Sequence, residues 1–231
     1  MTGINLNQHN FQWDIENPKG YNNRSGIYKT RIEYNFIKSH ISNLQESILD
    51  LGGGSGRFAL PLVKEGYDVT VVDLDSNAIE LCKKRGVPKS YCIDIRDFKS
   101  IDFDIVLAIE LFLVTSPKVV LEVASRKLSK NGLLIFTATN KDSWRYKLHN
   151  LKTNKSKNYG ELSVSEFQNL ITESGFSIID IKGFNWMPFK VNSNNILIPL
   201  ISKLESFFRL YKWLGQSPWI LFAVKKDSAL D

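Results

Sequence analysis

The sequence predicts an α/β fold, in which a parallel sheet is covered by helices on both faces. Two observations carry this prediction. Short apolar segments alternate along the chain with segments of helical periodicity, and the connections between them are short, as they are when crossover helices join parallel strands. The first strand runs into four glycines within five positions, Gly52, Gly53, Gly54 and Gly56. Such a bare turn marks the carboxyl end of a strand in open α/β sheets.

Each element is predicted from its own pattern. Alternating or continuous apolar runs predict seven strands, at residues 47–51, 67–75, 89–95, 103–111, 133–139, 176–184 and 218–226. Apolar spacings of three and four, with Gly or Pro near the ends, predict helices at residues 27–43, 57–66, 76–86, 116–132 and 163–176. We expect Ser76 to cap the third of these helices.

The 231 residues are predicted to form a single domain, since this length fits one α/β domain with additions. Its parts are an N-terminal cap segment (1–45), a core (46–184), a helical insertion (185–217) and the last strand with its tail (218–231). The insertion spaces Leu197, Ile201, Leu204, Phe208 and Tyr211 by fours and threes, which predicts a helix within residues 196–214. Three interpretations stay open: a lid over an apolar ligand, an interfacial helix on a membrane, or a helix packed on the sheet.

Basic residues are concentrated in the second half of the chain. The net charge is +6, and residues 141–157 hold six basic residues and one acid. Such a block attracts an anionic substrate, a nucleic acid or a membrane surface, or it is a solvated loop. The two cysteines, Cys82 and Cys92, form no metal-ligand pattern with histidine, so we expect no metal site and a reducing, cytoplasmic location. The N-terminus has no signal-peptide pattern, and no apolar run has the length of a membrane span.

The glycine turn indicates a ligand that approaches the backbone closely. In open α/β sheets a nucleotide lies across the carboxyl ends of the strands, where the backbone is bare. A dinucleotide fingerprint would need a small residue where Arg57 stands, and no Gly-Lys-Ser/Thr of a P-loop follows. Asp73 ends the second strand, 17 residues beyond Gly56, where a carboxylate accepts hydrogen bonds from ribose hydroxyls. Asp94 follows the third strand, where it either meets an adenine amino group or caps a turn.

Five segments resemble, in order, the motifs of class I S-adenosylmethionine-dependent methyltransferases of the small-molecule type. They read ILDLGGGSGRFALPL, VVDLD, IDIRDF, FDIVLAIELFLV and KLSKNGLLIFTATN, and the resemblance covers residues 46–184. It implies a Rossmann-like sheet of seven strands, mostly parallel with the last strand antiparallel, which agrees with the strand count. It also implies S-adenosylmethionine as the methyl donor and S-adenosylhomocysteine as a product.

The resemblance further implies roles for individual residues. The methionine part of the cofactor would be lined by Asp50, Gly52, Gly53, Gly54 and Gly56. Asp73 would hold the ribose, with Leu74 beside it, and Asp94 and Ile95 would flank the adenine. Ile109 and Glu110 would lie under the methyl donor. Val114 stands where many small-molecule members carry a histidine, so no catalytic role is carried over to that position.

Methyl transfer requires little from the protein beyond alignment of the two reactants. Methyl transfer from a sulfonium is an in-line displacement that needs closeness, orientation and a dry pocket, and a hydroxyl or amine acceptor needs a general base as well. His149, in the basic block, is the first candidate for that base, and Glu110 and Tyr159 follow. The candidate acceptor contacts are Tyr28, Arg31, Trp144 and Tyr159.

The sequence therefore predicts an enzyme that methylates an O or N atom of a small molecule. The alternatives are an RNA or protein methyltransferase that uses residues 141–157, and a non-catalytic cofactor-binding partner protein. The N/D-P-P-Y/F motif of amino-directed nucleic-acid enzymes is absent at residues 109–112, which disfavours a nucleic-acid acceptor. Peripheral membrane contact through residues 196–214 and the oligomeric state stay open.

Overall fold

The computed structural model describes residues 21–150, 161–190 and 192–227, without the side chains of residues 149 and 150. At its centre is a seven-stranded sheet of order β3-β2-β1-β4-β5-β7-β6. The strands are β1 (Ser47–Leu51), β2 (Asp68–Asp73), β3 (Ser90–Cys92), β4 (Phe103–Ala108), β5 (Leu128–Thr139), β6 (Phe176–Phe184) and β7 (Trp219–Lys226). Strand β7 is antiparallel to β5 and β6, and the other neighbouring strands are parallel. The predicted fold class is confirmed.

Helices cover both faces of the sheet, and a separate apolar core lies between the sheet and the helices on each face. The α-helices are α1 (Arg24–Lys38), α2 (Ala59–Lys64), α3 (Ser76–Lys84), α4 (Pro117–Lys127), α5 (Trp144–Asn150), α6 (Val164–Glu173) and α7 (Ile198–Phe207). Helices α1, α2 and α3 bury side chains such as Ile37, Leu62 and Ile79 in one core. Helices α4 and α6 bury Leu121 and Phe167 in the other. This two-sided burial explains why the central strands read as continuous apolar runs.

Several predicted bounds are wrong: the first helix, predicted over residues 27–43, is Arg24–Lys38, and the third strand, predicted over 89–95, is Ser90–Cys92. Two further differences have a clear physical cause. The helix predicted over residues 116–132 ends at Lys127, because Leu128 already pairs with Phe103 of β4 ahead of an irregularity in the strand register. The cap of α3 is Asp75 and not Ser76: the Asp75 side chain accepts hydrogen bonds from the N–H groups of Asn77 and Ala78, at 2.9 and 3.2 Å. Both differences arise from contacts that a local pattern does not contain.

The insertion lies at the carboxyl edge of the parallel strands. It leaves the sheet where β6 ends and returns where the antiparallel β7 begins, so both of its ends are at the edge where β1 meets the glycine turn. Helix α7, at its centre, packs against α1, and Arg31 Nη2 of α1 lies 3.3 Å from Ser202 Oγ of α7. Within the described ranges, no helix combines the length and the apolar character needed to cross a bilayer.

Candidate active site

The glycine turn after β1 packs too closely on its surroundings to carry side chains. A Cβ atom on Gly53 would lie 2.5 Å from Oδ2 of Asp50, far inside van der Waals contact. Gly54 adopts the left-handed conformation, with φ of 56°, which glycine tolerates without strain. Its N–H group donates a hydrogen bond of 2.9 Å to Oδ2 of Asp73. The turn is therefore fastened to the end of β2 while its own surface stays bare.

Asp50 places a buried carboxyl group directly behind this turn. The residue is 1% exposed, and its Oδ2 atom has no hydrogen-bond partner within the described part of the chain. The pKa of Asp50 is raised to about 7, chiefly by burial, with Arg57 opposing the shift and the neighbouring Asp73 adding to it. A buried acceptor without a partner is costly, and a ligand that carries a cationic or hydrogen-bond-donating group would relieve that cost.

Asp73 is held in a fixed orientation at the end of β2. Its Oδ2 atom accepts the hydrogen bond from Gly54, and its Oδ1 atom accepts one of 2.9 Å from the N–H group of Asp75. Each carboxylate oxygen has further lone pairs, and the residue is only half-buried. Leu74, the next residue, is exposed. This arrangement fits a carboxylate that is positioned in advance to receive two hydroxyl groups.

Asp94 lies in the turn after β3 and has partners of its own. Its carboxylate accepts hydrogen bonds from Nε and Nη2 of Arg96, at 2.8 and 2.6 Å, and one from the Arg96 backbone. These hydrogen bonds lower the pKa of Asp94. Of the two roles the sequence left open, turn capping is visible in the structure. Ile95, the next residue, is half-buried and packs against the core below it.

Glu110 occupies a constrained position just beyond β4. Its backbone is left-handed, with φ of 61°, which is uncommon for a residue with a side chain. Its N–H group donates to Thr137 Oγ1 of β5 at 2.6 Å. Its Oε1 atom lies 2.6 Å from Nη2 of Arg57 and 3.0 Å from Nζ of Lys29. Ile109, before it, is buried in the core.

Glu110 belongs to a buried cluster of charges that ties α1 to the glycine turn. Arg57, the residue after the turn, also pairs with Glu33 of α1 at 3.0 Å, and the hydroxyl of Tyr21 donates to Glu110 at 2.5 Å. Lys29 Nζ lies 3.4 Å from the centroid of the Trp219 ring. Burial raises the pKa of Glu33, against the opposing pull of Arg57 and Lys29. Because the Glu110 carboxylate is committed to two cations and a phenol, the geometry favours a positioning role for it over that of a base.

Sequence reasoning missed most of this charge cluster. Lys29 and Glu33 are spaced by four residues on α1 and share a face with the buried Phe36 and Ile37, so their spacing carried the signal. A charged residue on an apolar face is normally paired when it is buried. Arg57 stands where a dinucleotide fingerprint would have glycine, and that departure was visible in the sequence.

The predicted acceptor contacts lie in different surroundings. Tyr28 is buried between α1 and α7, where its hydroxyl group donates to Glu205 and accepts from the N–H group of Asn185. Arg31 reaches Ser202 on the insertion. Trp144 is half-buried at the start of α5. Two further candidates lie outside the described residues: the side chain of His149, whose backbone belongs to α5, and the whole of Tyr159. Tyr28 thus joins two helices and offers no free hydroxyl group to a ligand.

These features define an α/β protein with a glycine turn, a buried carboxyl group and a backbone-oriented carboxylate at the carboxyl edge of its sheet. Residues 49–136 match a family model described as a methyltransferase domain. An uncharacterised protein of Methanocaldococcus jannaschii is 33% identical over 171 residues, which are 71% of this chain and 78% of the relative. A ubiquinone biosynthesis O-methyltransferase of Rickettsia canadensis is 29% identical over 177 residues, 68% of this chain and 75% of that protein.

Solved structures share the fold at low sequence identity. An S-adenosylmethionine-dependent methyltransferase of Thermotoga maritima, described as a possible histamine N-methyltransferase, has a TM-score of 0.62 at 20% identity and covers 87% of this chain and 90% of its own. The magnesium protoporphyrin IX methyltransferase of Synechocystis, with bound S-adenosylhomocysteine, has a TM-score of 0.63 at 9% identity and covers 88% and 85%. The chain belongs to the class I S-adenosylmethionine-dependent methyltransferase family, and S-adenosylmethionine is its cofactor.

The residues present fit that cofactor. Gly52, Gly53 and Gly54 place no side chain in the way of the methionine chain, and the orphaned Asp50 Oδ2 atom would be an acceptor for its ammonium group. Asp73 offers carboxylate oxygens that the backbone already orients. Among the residues that the structure describes, no group of three or more His, Cys, Asp or Glu side chains is arranged to hold a metal ion.

Proposed function

We propose that this enzyme methylates an oxygen or nitrogen atom of a small-molecule acceptor. The observation that carries this proposal is the presence of two helices, α1 and α7, beside the glycine turn. Helix α1 is tied to the glycine turn through Arg57 and Glu33, and α7 is packed on α1. An edge that helices cover suits a small acceptor that enters a pocket, because a polymer needs an open groove.

The contacts of the basic block also favour a small acceptor. Lys141 is 2.5 Å from Glu166, and the Arg145 guanidinium group donates to the backbone carbonyls of Met187 and Phe189. Two of the six basic residues at 141–157 are therefore bound to the protein itself. They are not free to contact the phosphates of a nucleic acid.

The cofactor supplies an already activated methyl group on its sulfonium. The chain has the simpler tasks of binding, orientation and exclusion of water. Asp73 and the glycine turn would hold the nucleoside and the methionine part, and the cluster around Glu110 would keep α1 closed over them. His149 is our proposed general base, since α5 begins shortly after β5 ends, at the carboxyl edge. The relative in Rickettsia canadensis is named an O-methyltransferase, which favours a hydroxyl acceptor.

A labelling experiment tests the class of acceptor. The purified enzyme receives S-adenosylmethionine labelled in its methyl group, with a panel of hydroxylated and amino aromatic compounds, total RNA and denatured protein in parallel reactions. We expect label in a small-molecule product and none in acid-precipitable material. Label in RNA or protein alone would establish the polymer alternative. Binding of S-adenosylhomocysteine without transfer to any class of acceptor would favour a non-catalytic protein.

A further inference from the structure

Helix α7 has an apolar side that faces away from the protein. Its inner side is anchored: Ile198 is buried with Tyr28 and Met187, and Glu205 accepts a hydrogen bond from Tyr28. Its outer side and the flanking residues carry large apolar side chains that are 42–78% exposed. We call them the α7 face: Ile196, Leu197, Leu200, Leu204, Phe207 and Phe208.

The α7 face inverts the usual pattern of a surface helix. A surface helix normally turns its apolar stripe to the core and its polar side to water. On α7, residues 197, 200, 204 and 207 follow spacings of three and four and so share one side, yet that side is exposed. Phe207 is 78% and Ile196 is 75% exposed. An exposed apolar surface of this kind on a folded protein marks a binding surface.

The charges around the α7 face have one sign. Residues 190–216 contain four basic residues, Lys190, Lys203, Arg209 and Lys212, all of them exposed. The single acid in this segment is Glu205, which is buried and turned inward to Tyr28. The outward surface of the segment is therefore apolar and cationic, without a compensating carboxylate of its own.

We propose that the α7 face docks on the surface of an anionic lipid bilayer. Apolar side chains on one side of a helix enter the boundary between headgroups and acyl chains, and nearby basic residues are attracted to anionic lipids. A second copy of the chain is a poor occupant, because two such faces would bring eight positive charges together. The proposal concerns a surface and does not depend on which acceptor the enzyme methylates.

The place of α7 in the fold gives docking a defined orientation. The insertion leaves and re-enters the sheet at the carboxyl edge, the same edge that holds the glycine turn and Asp73. Docking through the α7 face turns this edge, and not the opposite one, toward the bilayer.

Vesicle flotation tests the proposal. The full chain is mixed with vesicles of phosphatidylcholine alone or of phosphatidylcholine with phosphatidylglycerol. We expect at least about tenfold stronger binding to the anionic vesicles. The variants F207S/F208S and R209E/K212E should each lose at least about tenfold of that binding.

Matched controls distinguish vesicle binding through the α7 face from non-specific adsorption. The variant I101S/I179S removes two apolar residues that are 58% and 54% exposed elsewhere, and K83E/K84E reverses two exposed charges on α3. Both should bind anionic vesicles more strongly than the α7 variants do, and every variant should keep its affinity for S-adenosylhomocysteine. Failure of the wild type to bind, or equal binding by F207S/F208S, would overturn the proposal. A wild-type dimer that F207S/F208S disperses would overturn it too, since a second copy would then cover the face.

Discussion

Single residues set the electrostatics of the candidate cofactor site. Asp50 and Asp73 lie behind and beside the glycine turn, and they differ in surroundings: Asp50 is buried with an unpaired oxygen, whereas Asp73 is oriented by two backbone N–H groups. Asp73 was singled out from the strand pattern and Asp50 from the family resemblance, and their roles toward the cofactor stay predictions. Sequence reasoning did not find the environment of Asp50, since that depends on the packing of residues far apart in the chain.

Asp50 makes the stability of the free protein depend on pH. Folding raises the pKa of this carboxyl group from 3.8 to about 7, so the folded state keeps a proton that the unfolded state loses. The stabilisation is complete below about pH 4 and is lost as the pH rises through about 7. We expect wild type to lose more free energy of unfolding than Asp50→Asn between about pH 5 and about pH 8. Urea unfolding at both pH values checks this, and parallel losses would contradict it.

His149 gives a prediction about the chemical step. Once an acceptor is known, His149→Ala should lower kcat by a factor of about 100 or more, because a positioned base contributes on this scale. Its affinity for S-adenosylhomocysteine should not change. His40→Ala is the matched control, since His40 pairs with Asp180 away from the carboxyl edge. A turnover in His149→Ala equal to that of wild type would remove His149 from the mechanism.

At the scale of elements, α1 is held beside the glycine turn by buried ion pairs. The Ile and Phe spacing of residues 27–43 predicted this helix within the N-terminal cap segment. The structure adds the reason for its position, which is the paired charges of Lys29, Glu33, Arg57 and Glu110. Pairing between residues 24 to 81 positions apart has no local signature, which is why the sequence did not reveal it.

Removal of Arg57 should weaken the attachment of α1 to the glycine turn. Arg57→Met preserves much of the volume but leaves Glu33 and Glu110 buried without their shared cation. Breaking a buried pair in this way costs about 3–5 kcal/mol of unfolding free energy, and urea unfolding measures it. Arg96→Met is the control, because the Arg96–Asp94 pair is exposed on the arginine side and its loss should change stability little. Equal effects of the two substitutions would contradict a fastening role for the cluster.

At the scale of the whole molecule, alternation of strands and helices was enough to predict the architecture. All seven strands lie where apolar runs were found, and β7 is antiparallel as the family resemblance implied. The boundary between α4 and β5 was missed, because residues 128–132 join the sheet through an irregular register rather than an apolar run. The direction in which α7 turns its apolar side could not be predicted either, since periodicity gives a stripe and not its orientation.

One aromatic cluster joins the sheet to α6 and supports the whole fold. The rings of Phe136 and Phe222 stack at 5.0 Å, and Phe167 of α6 packs on both. Phe136→Ala should therefore lower the free energy of unfolding by about 3–5 kcal/mol. Phe207→Ala, at a side chain that is 78% exposed, should cost far less in the same urea titration. Comparable losses would mean that the core is not where the structure places it.

The most direct test of the central claim is calorimetric binding of S-adenosylhomocysteine to wild type, Asp73→Ala and Asp75→Ala. Asp75 is the matched control, since it lies two residues away and caps α3. We predict that Asp73→Ala weakens binding about 100-fold, the worth of two hydrogen bonds to a charged group, while Asp75→Ala binds almost as wild type does. Equal affinities for wild type and Asp73→Ala, with both proteins folded, would show that the ribose site has been placed on the wrong residue.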